Sequence, residues 1–296
     1  MTNLRWWGWG MLDRAYSLEE RATLWPMLQT WLELPDESVT REAGPVPLEE
    51  ISLRSPRLDD PMLSSLRRLL GEEAVKVDKR ARVEHAYGKS YGDLIRLRAG
   101  CIPHPPDVVV YPANSGQIAS VLVWAVDRDV VVIPFGGGTS ILGGLELTAD
   151  ERPAITLDMS KLNRVLSVDP VSRTARIQAG ARGPAIEAHL NPQGFTLGHF
   201  PESFELSTLG GWIATRSVGQ NGIGYGKIEH IVQSTRVVTP VGLIEASNVP
   251  ASAVGPNLMD VLVGSEGGYG IITEATMRIF PWPETRDYRG ILFRGL

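Results

Sequence analysis

The stretch Pro134-Phe135-Gly136-Gly137-Gly138-Thr139-Ser140 constrains this chain more than any other. It follows Val130-Val131-Val132-Ile133, a β-branched run that predicts a buried strand. Upstream, Val108 to Tyr111 reads as a second strand, Asn114 with Gln117 as a helix cap, and Ile118, Val121, Leu122 and Ala125 as one helix face. Together they predict a βαβ unit whose second strand ends in the glycine loop, where open α/β sheets expose their ligand crevice. Three glycines leave backbone amides unscreened and free to cradle a phosphate or diphosphate, and Thr139 and Ser140 add hydroxyls. A triple glycine after a strand also serves as a plain turn. A P-loop is excluded because no lysine follows Gly138, and the Gly-x-Gly-x-x-Gly dinucleotide fingerprint does not fit.

With 296 residues, 43% of them hydrophobic, the chain can bury a sizeable core in one large or two modest domains. A net charge of −5 with scattered basic residues argues against a nucleic-acid surface or a polybasic membrane anchor. The single cysteine, Cys101, excludes an internal disulfide, fits a reducing compartment and reads as a packing residue. No apolar run reaches the roughly 20 residues of a membrane helix, and no signal-peptide pattern opens the chain. These features predict a soluble, cytoplasmic protein. His85, His104, His189 and His230 lack ligand spacing, so no metal site is expected, and His199 reads as structural.

Trp6, Trp7 and Trp9 predict a strap packed on its own domain rather than a bilayer anchor. Ser17 and Glu20 form a capping box for a helix that Pro26 should interrupt. A better-marked helix has Asp60 as cap, Pro61 in its first turn, Leu63, Leu66, Leu69 and Leu70 on one face, and Gly71 as terminator. Residues 1–84 therefore read as a helical N-terminal region. Ser90 to Gly100 reads as a further helix. Strands are expected at 155–157, 174–179, 232–238 and 271–279, and helices at about 208–217 and 257–263, with one opened by Pro184 that turns Ile186 and Leu190 inward. Ile291-Leu292-Phe293 reads as a last strand.

Two more glycine-bearing stretches lie downstream. One is Pro201-Glu202-Ser203-Phe204-Glu205-Leu206-Ser207-Thr208-Leu209-Gly210-Gly211-Trp212; the other is Gly264-Ser265-Glu266-Gly267-Gly268-Tyr269-Gly270-Ile271-Ile272-Thr273-Glu274. With Pro134 to Ser140, in that order and at those separations, the chain resembles the flavin domain of the vanillyl-alcohol oxidase, or p-cresol methylhydroxylase (PCMH)-type, family. Further points of likeness are Trp7-Gly8-Trp9-Gly10, the His85 to Gly100 stretch, Asp158 to Asn163 and Val238-Thr239-Pro240. The likeness covers nearly the whole chain. It is nearest to the branch that exchanges the acyl group of acyl-dihydroxyacetone phosphate for a fatty alcohol, making the ether bond of ether lipids.

The resemblance implies an α/β (α+β) fold, a PCMH-type FAD-binding domain over 85–285 with subdomains at about 85–160 and 161–285. Residues 286–296 would begin a cap domain. It implies FAD as cofactor, with Pro134 to Ser140 on the diphosphate, Pro201 to Ser207 and Ala214, Thr215, Arg216 and Ser217 along the cofactor, and Thr208, Gly210 and Gly211 forming a helix amino-terminus near it. Glu266, Gly267, Gly268, Tyr269, Gly270, Ile271 and Ile272 correspond to the family's last flavin-contacting segment. Relatives that attach FAD covalently through the first loop carry a histidine there; Thr139 and Ser140 imply a non-covalent flavin. The family's acid/base tyrosine and histidine belong to a carboxyl-terminal half, so catalytic residues are expected beyond Leu296 and none is assigned.

Two departures concern the substrate. Pro250-Ala251-Ser252 stands where the synthase branch carries a basic residue, and a lysine pair is missing near Gln220-Asn221. The rival reading is therefore an FAD-dependent oxidoreductase of a 2-hydroxy acid such as D-lactate, glycolate or 2-hydroxyglutarate. A third is a flavin-binding module without activity of its own. The expected partners are a small-molecule or lipid substrate and no nucleic acid. Peripheral membrane contact and a homodimer are compatible with this reading.

Overall fold

The computed structural model describes residues 4–13, 23–34, 44–148, 152–249 and 252–295. The helices are α1 (Leu24–Leu32), α2 (Asp60–Leu70), α3 (Lys79–Glu84), α4 (Tyr91–Arg98), α5 (Ser115–Val126), α6 (Gly183–Leu190), α7 (Leu209–Ala214), α8 (Gly222–Tyr225), α9 (Ile228–Ile231) and α10 (Leu258–Leu262). The strands are β1 (Val75–Lys76), β2 (Val108–Val110), β3 (Val131–Phe135), β4 (Ala154–Asp158), β5 (Val165–Asp169), β6 (Thr174–Gln178), β7 (Phe195–Thr196), β8 (Val232–Thr239), β9 (Gly242–Glu245), β10 (Ile271–Arg278) and β11 (Phe280–Pro281). The chain forms two units, Met1–Tyr111 with Ala125–Leu157, and Pro112–Trp124 with Asp158–Leu296.

The first unit holds a four-stranded sheet in the order β1-β2-β4-β3. β2 runs parallel to β4, with Val108 opposite Ile155 and Val110 opposite Leu157, and all four side chains are fully buried. Burial on both faces explains why β2 reads as an unbroken apolar run. The sequence predicts β2 and β3 as neighbours, yet β4 lies between them. β3 is consequently an edge strand, and Val131 to Pro134 are half-exposed rather than buried. The N-terminal region is likewise not purely helical, because β1 joins the sheet antiparallel to β2.

Local caps follow the sequence with small shifts. Asp59, not Asp60, caps α2, its Oδ1 accepting from Met62 N at 2.8 Å. Leu66 and Leu70 are buried there, whereas Leu69 is exposed because it falls beside the stripe that Leu63, Leu66 and Leu70 share. Pro26 sits in the first turn of α1, where no amide is needed, and does not interrupt it. The Ser17 and Glu20 capping box lies outside the described residues. Gln117 N donates to Asn114 Oδ1 at 2.9 Å, and Ile118, Val121, Leu122 and Ala125 are buried as expected.

Trp6 is buried in a cluster with Ile51, Val83, Tyr87, Leu97 and Ile102, and Trp7 packs against it, so the strap is part of the core. Cys101 is exposed, contrary to the packing role expected of it. Asp107, fully buried, accepts a guanidinium fork from Arg57 and the amide of Ala154 at 2.7 Å, fixing the start of β4.

The second unit holds an antiparallel sheet in the order β5-β6-β10-β8-β9. β10 is its spine, pairing Ile271 with Val238 on one side and Ala275 with Ile177 on the other. α7 packs on β10 and α10 on β8. Ile186 and Leu190 of α6 are fully buried, and Pro184 stands in its first turn. β5 and β9 escape sequence reading because both are edge strands with few buried side chains. Ile291, Leu292 and Phe293 form no strand and are exposed, since no described strand pairs with them. Among the described residues no helix is long and apolar enough to cross a membrane.

Candidate cofactor site

The glycine loop belongs to the first unit. Phe135 ends β3 with its ring buried, 4.3 Å from the His85 ring centroid. Gly138 then folds back over that ring in the left-handed region, at φ 65°, and a Cβ there would stand 2.5 Å from Phe135 Cζ. Only glycine suits such a position. The far end of the loop is held by the turn before α4. Lys89 N donates to Ser140 O at 2.7 Å, and any Cβ on Gly88 would collide with that carbonyl. Between these anchors the amides of Gly136, Gly137, Gly138 and Thr139 donate to no other described residue. Burial depresses the proton affinity of the Lys89 ammonium, whose Nζ reaches Arg5 O at 3.4 Å.

The other two stretches belong to the second unit, where parts of them meet. Gly264 N donates to Ile213 O at 2.9 Å and Glu266 N to Ala214 O at 3.0 Å, so the end of α7 carries the 264–266 turn. Arg216, itself left-handed at φ 52°, adds Nε to Val263 O at 3.0 Å and Nη2 to Asp260 O at 3.3 Å. Its guanidinium thus fastens α10 to α7. In the 201–208 segment, Ser207 Oγ donates to Ser203 O at 2.8 Å and accepts from Trp212 Nε1 at 2.6 Å. Phe204 lies nearly parallel to Trp212, with ring centroids 6.4 Å apart.

One sequence expectation is corrected here. The amino-terminus of α7 does not offer free donors: Leu209 N goes to Ala181 O, Gly210 N to Ala179 O at 2.7 Å, and Gly211 N to Thr208 Oγ1. A short helix packed on β10 uses its leading amides to dock onto the chain after β6. Leu206, Ser207, Thr208, Ile271 and Ile272 are buried, whereas Glu202, Glu205, Thr215, Arg216, Glu266 and Tyr269 are exposed.

His199 is buried against Trp212, its ring centroid 5.1 Å away. Nε2 lies 3.1 Å from Ser217 Oγ, and Nδ1 is buried without a partner. Desolvation pushes its pKa down to about 4, so the ring is neutral. A buried lone pair left bare costs less than a buried N–H left bare, which places the proton on Nε2. Nε2–H then donates to Ser217 Oγ. The Ser217 amide and carbonyl are already paired with Trp212 O and Ile228 N, so its hydroxyl proton remains for an outside acceptor. Sequence reading missed this arrangement, and also missed the hold of Gly88 and Lys89 on the loop, although both fall in or beside stretches singled out above.

A cavity of about 970 Å³ also opens in the second unit, lined by Glu229, His230, Asp260, Arg278 and Arg216 among others. Among the described residues, Arg216 is the only expected site residue on its wall.

Residues 106–247 match the family model described as an FAD binding domain. The cofactor of such a domain is FAD. The chain is 41% identical over 266 residues to alkyldihydroxyacetonephosphate synthase of Dictyostelium discoideum, a match covering 88% of this chain and 44% of that protein. A solved structure of alkyldihydroxyacetonephosphate synthase superposes with a TM-score of 0.89 at 36% identity, covering 96% of this chain and 55% of that one. A weaker likeness, 31% identical over 193 residues, joins it to glycolate oxidase subunit GlcD of Bacillus subtilis, over 64% of this chain and 40% of that protein. The fold is thus the PCMH-type FAD-binding fold that the sequence resembles. The chain spans about half the length of the curated relatives it matches.

Proposed function

We propose that the chain is the FAD-binding portion of an alkyldihydroxyacetonephosphate synthase, whose reaction replaces the acyl group of acyl-dihydroxyacetone phosphate by a fatty alcohol. The observation that carries this reading is the pair of extended matches to that synthase, in sequence over 88% of the chain and in structure over 96%. The oxidoreductase likeness is both weaker and shorter.

The residues fit the cofactor. A diphosphate needs N–H donors with no side chain before them, and the unengaged amides of Gly136 to Thr139 answer that need, with Thr139 and Ser140 hydroxyls beside them. Ser217, fixed as a donor by His199, suits an electron-rich acceptor on the flavin ring. Pro201 to Thr208, Gly210, Gly211, Ala214 to Ser217 and Glu266 to Ile272 complete the proposed set, with Arg216 and the leading amides of α7 serving to hold the frame. FAD, when bound, would supply a reactive ring nitrogen as nucleophile toward the substrate carbon that carries the acyl group. Thr139 and Ser140 offer no histidine for attachment, so the flavin is held non-covalently. We place the protein in the cytoplasm, meeting its lipid substrate by peripheral membrane contact.

Purified chain should be yellow and release all of its FAD on denaturation. A colourless protein that cannot be reconstituted overturns the reading. For the full-length gene product, label exchange from a fatty alcohol into a dihydroxyacetone phosphate ester is expected. Anaerobic bleaching of the flavin by a 2-hydroxy acid, without such exchange, would establish the oxidoreductase instead.

A further inference from the structure

The three glycines at 136–138 have no side chains with which to hold themselves, and fixing their backbones costs more conformational entropy than for any other residue. A loop that must keep its amides in one arrangement therefore needs anchors on both sides. Phe135 supplies the first, under Gly138 and against His85. The second comes from α4. Six residues after Ser140, Glu146 receives a fork from Arg96, with Nη1 to Oε1 at 2.5 Å and Nη2 to Oε2 at 3.0 Å. Nη2 also reaches Asp93 Oδ1 at 2.7 Å, and the guanidinium lies 4.3 Å over the Tyr87 ring. Asp93 and Ser90 form the capping box of α4, so the ion cluster is built into the first turns of that helix.

We infer that Arg96 and Glu146 are positioning residues for the cofactor: their clamp ties residues 140–146 to α4 and so keeps the 136–139 amides ready for the diphosphate. This rests on the FAD reading above. An ordinary surface ion pair adds little to stability and has no reason to touch a ligand. This one closes a loop across 50 positions of sequence and uses the planar, bidentate geometry that only arginine offers. The two carboxylates on Arg96 are not equivalent. The Asp93 side chain is 1% exposed and that of Glu146 30%. Removing Glu146 leaves Asp93 still paired with Arg96, so no buried charge is orphaned and the fold is kept. Truncating Arg96 would strand Asp93, which makes Glu146 the clean site to change.

The test compares wild-type chain, Glu146→Ala and Glu146→Gln by FAD titration and by hydrogen exchange of the 135–147 amides in apoprotein. Glu146→Ala should weaken FAD binding about tenfold, the equivalent of freeing roughly one backbone residue before binding. It should also speed apoprotein exchange across 136–146 while leaving the melting temperature nearly unchanged, with Glu146→Gln intermediate. Equal FAD affinities in wild type and Glu146→Ala overturn the proposal, as does unchanged exchange in the loop. A wild-type chain that takes up no FAD overturns the cofactor reading itself, a result distinct from equal affinities.

Discussion

Acidification should weaken this fold through His199. Among the described residues the imidazole has Ser217 alone as a hydrogen-bond partner, and it is buried beside Trp212, Phe200 and Gly219. Desolvation alone takes its pKa from 6.5 to about 4. A folded-state value below the unfolded one means that the unfolded chain binds the proton more tightly. The stability is therefore fully present above pH 6.5 and is lost as the pH falls from 6.5 through about 4. At about 1.4 kcal/mol per tenfold difference in proton affinity, the loss reaches about 3 kcal/mol by pH 4. Urea unfolding of wild-type protein and of His199→Gln, at steps from pH 7 to 4, isolates the effect. Glu187, which burial pushes upward, titrates with the opposite sign in the acid range, but it is common to both proteins and cancels in the difference. Wild type should lose about 3 kcal/mol more than His199→Gln across that range. Equal pH slopes would refute the neutral, desolvated imidazole and, with it, the assignment of Ser217 as a fixed donor.

Gly138→Ala should cost at least about 1 kcal/mol of stability and weaken FAD uptake, because a left-handed alanine is strained and its Cβ would press on Phe135; an unchanged urea midpoint would contradict the loop geometry. Asp107→Ala should be far more severe, about 3–5 kcal/mol, since it removes the fully buried counter-charge beside Arg54 and the buried Arg82 and takes the acceptor from the Ala154 amide. A loss below about 1 kcal/mol in denaturant unfolding would show that the cluster is not the tie at the start of β4.

Much of the local structure around the proposed site was legible before any coordinates. Glycines after a strand, a β-branched run and an Asn-x-x-Gln cap are local signals, because each follows from what one residue permits its immediate backbone to do. They located the loop at 134–140, the helix from 115 and the strands β2, β4, β6, β8 and β10, with ends off by a residue or two. The order and spacing of the three glycine-bearing stretches pointed to the family, which the match over residues 106–247 bears out.

What the sequence alone could not determine depends on contacts between distant residues. Periodicity marks β2 and β3 as strands, but nothing near either one tells that β4 will enter between them and leave β3 half-exposed at the edge. The amides of α7 look free in sequence, as those of any helix start do; only docking onto Ala179 and Ala181 uses them. Arg96 and Glu146, Asp107 and Arg57, and the orphaned nitrogen of His199 are likewise decided in three dimensions. A charge or a proton responds to whatever lies within a few ångströms, and for these groups the neighbours that matter come from elsewhere in the chain.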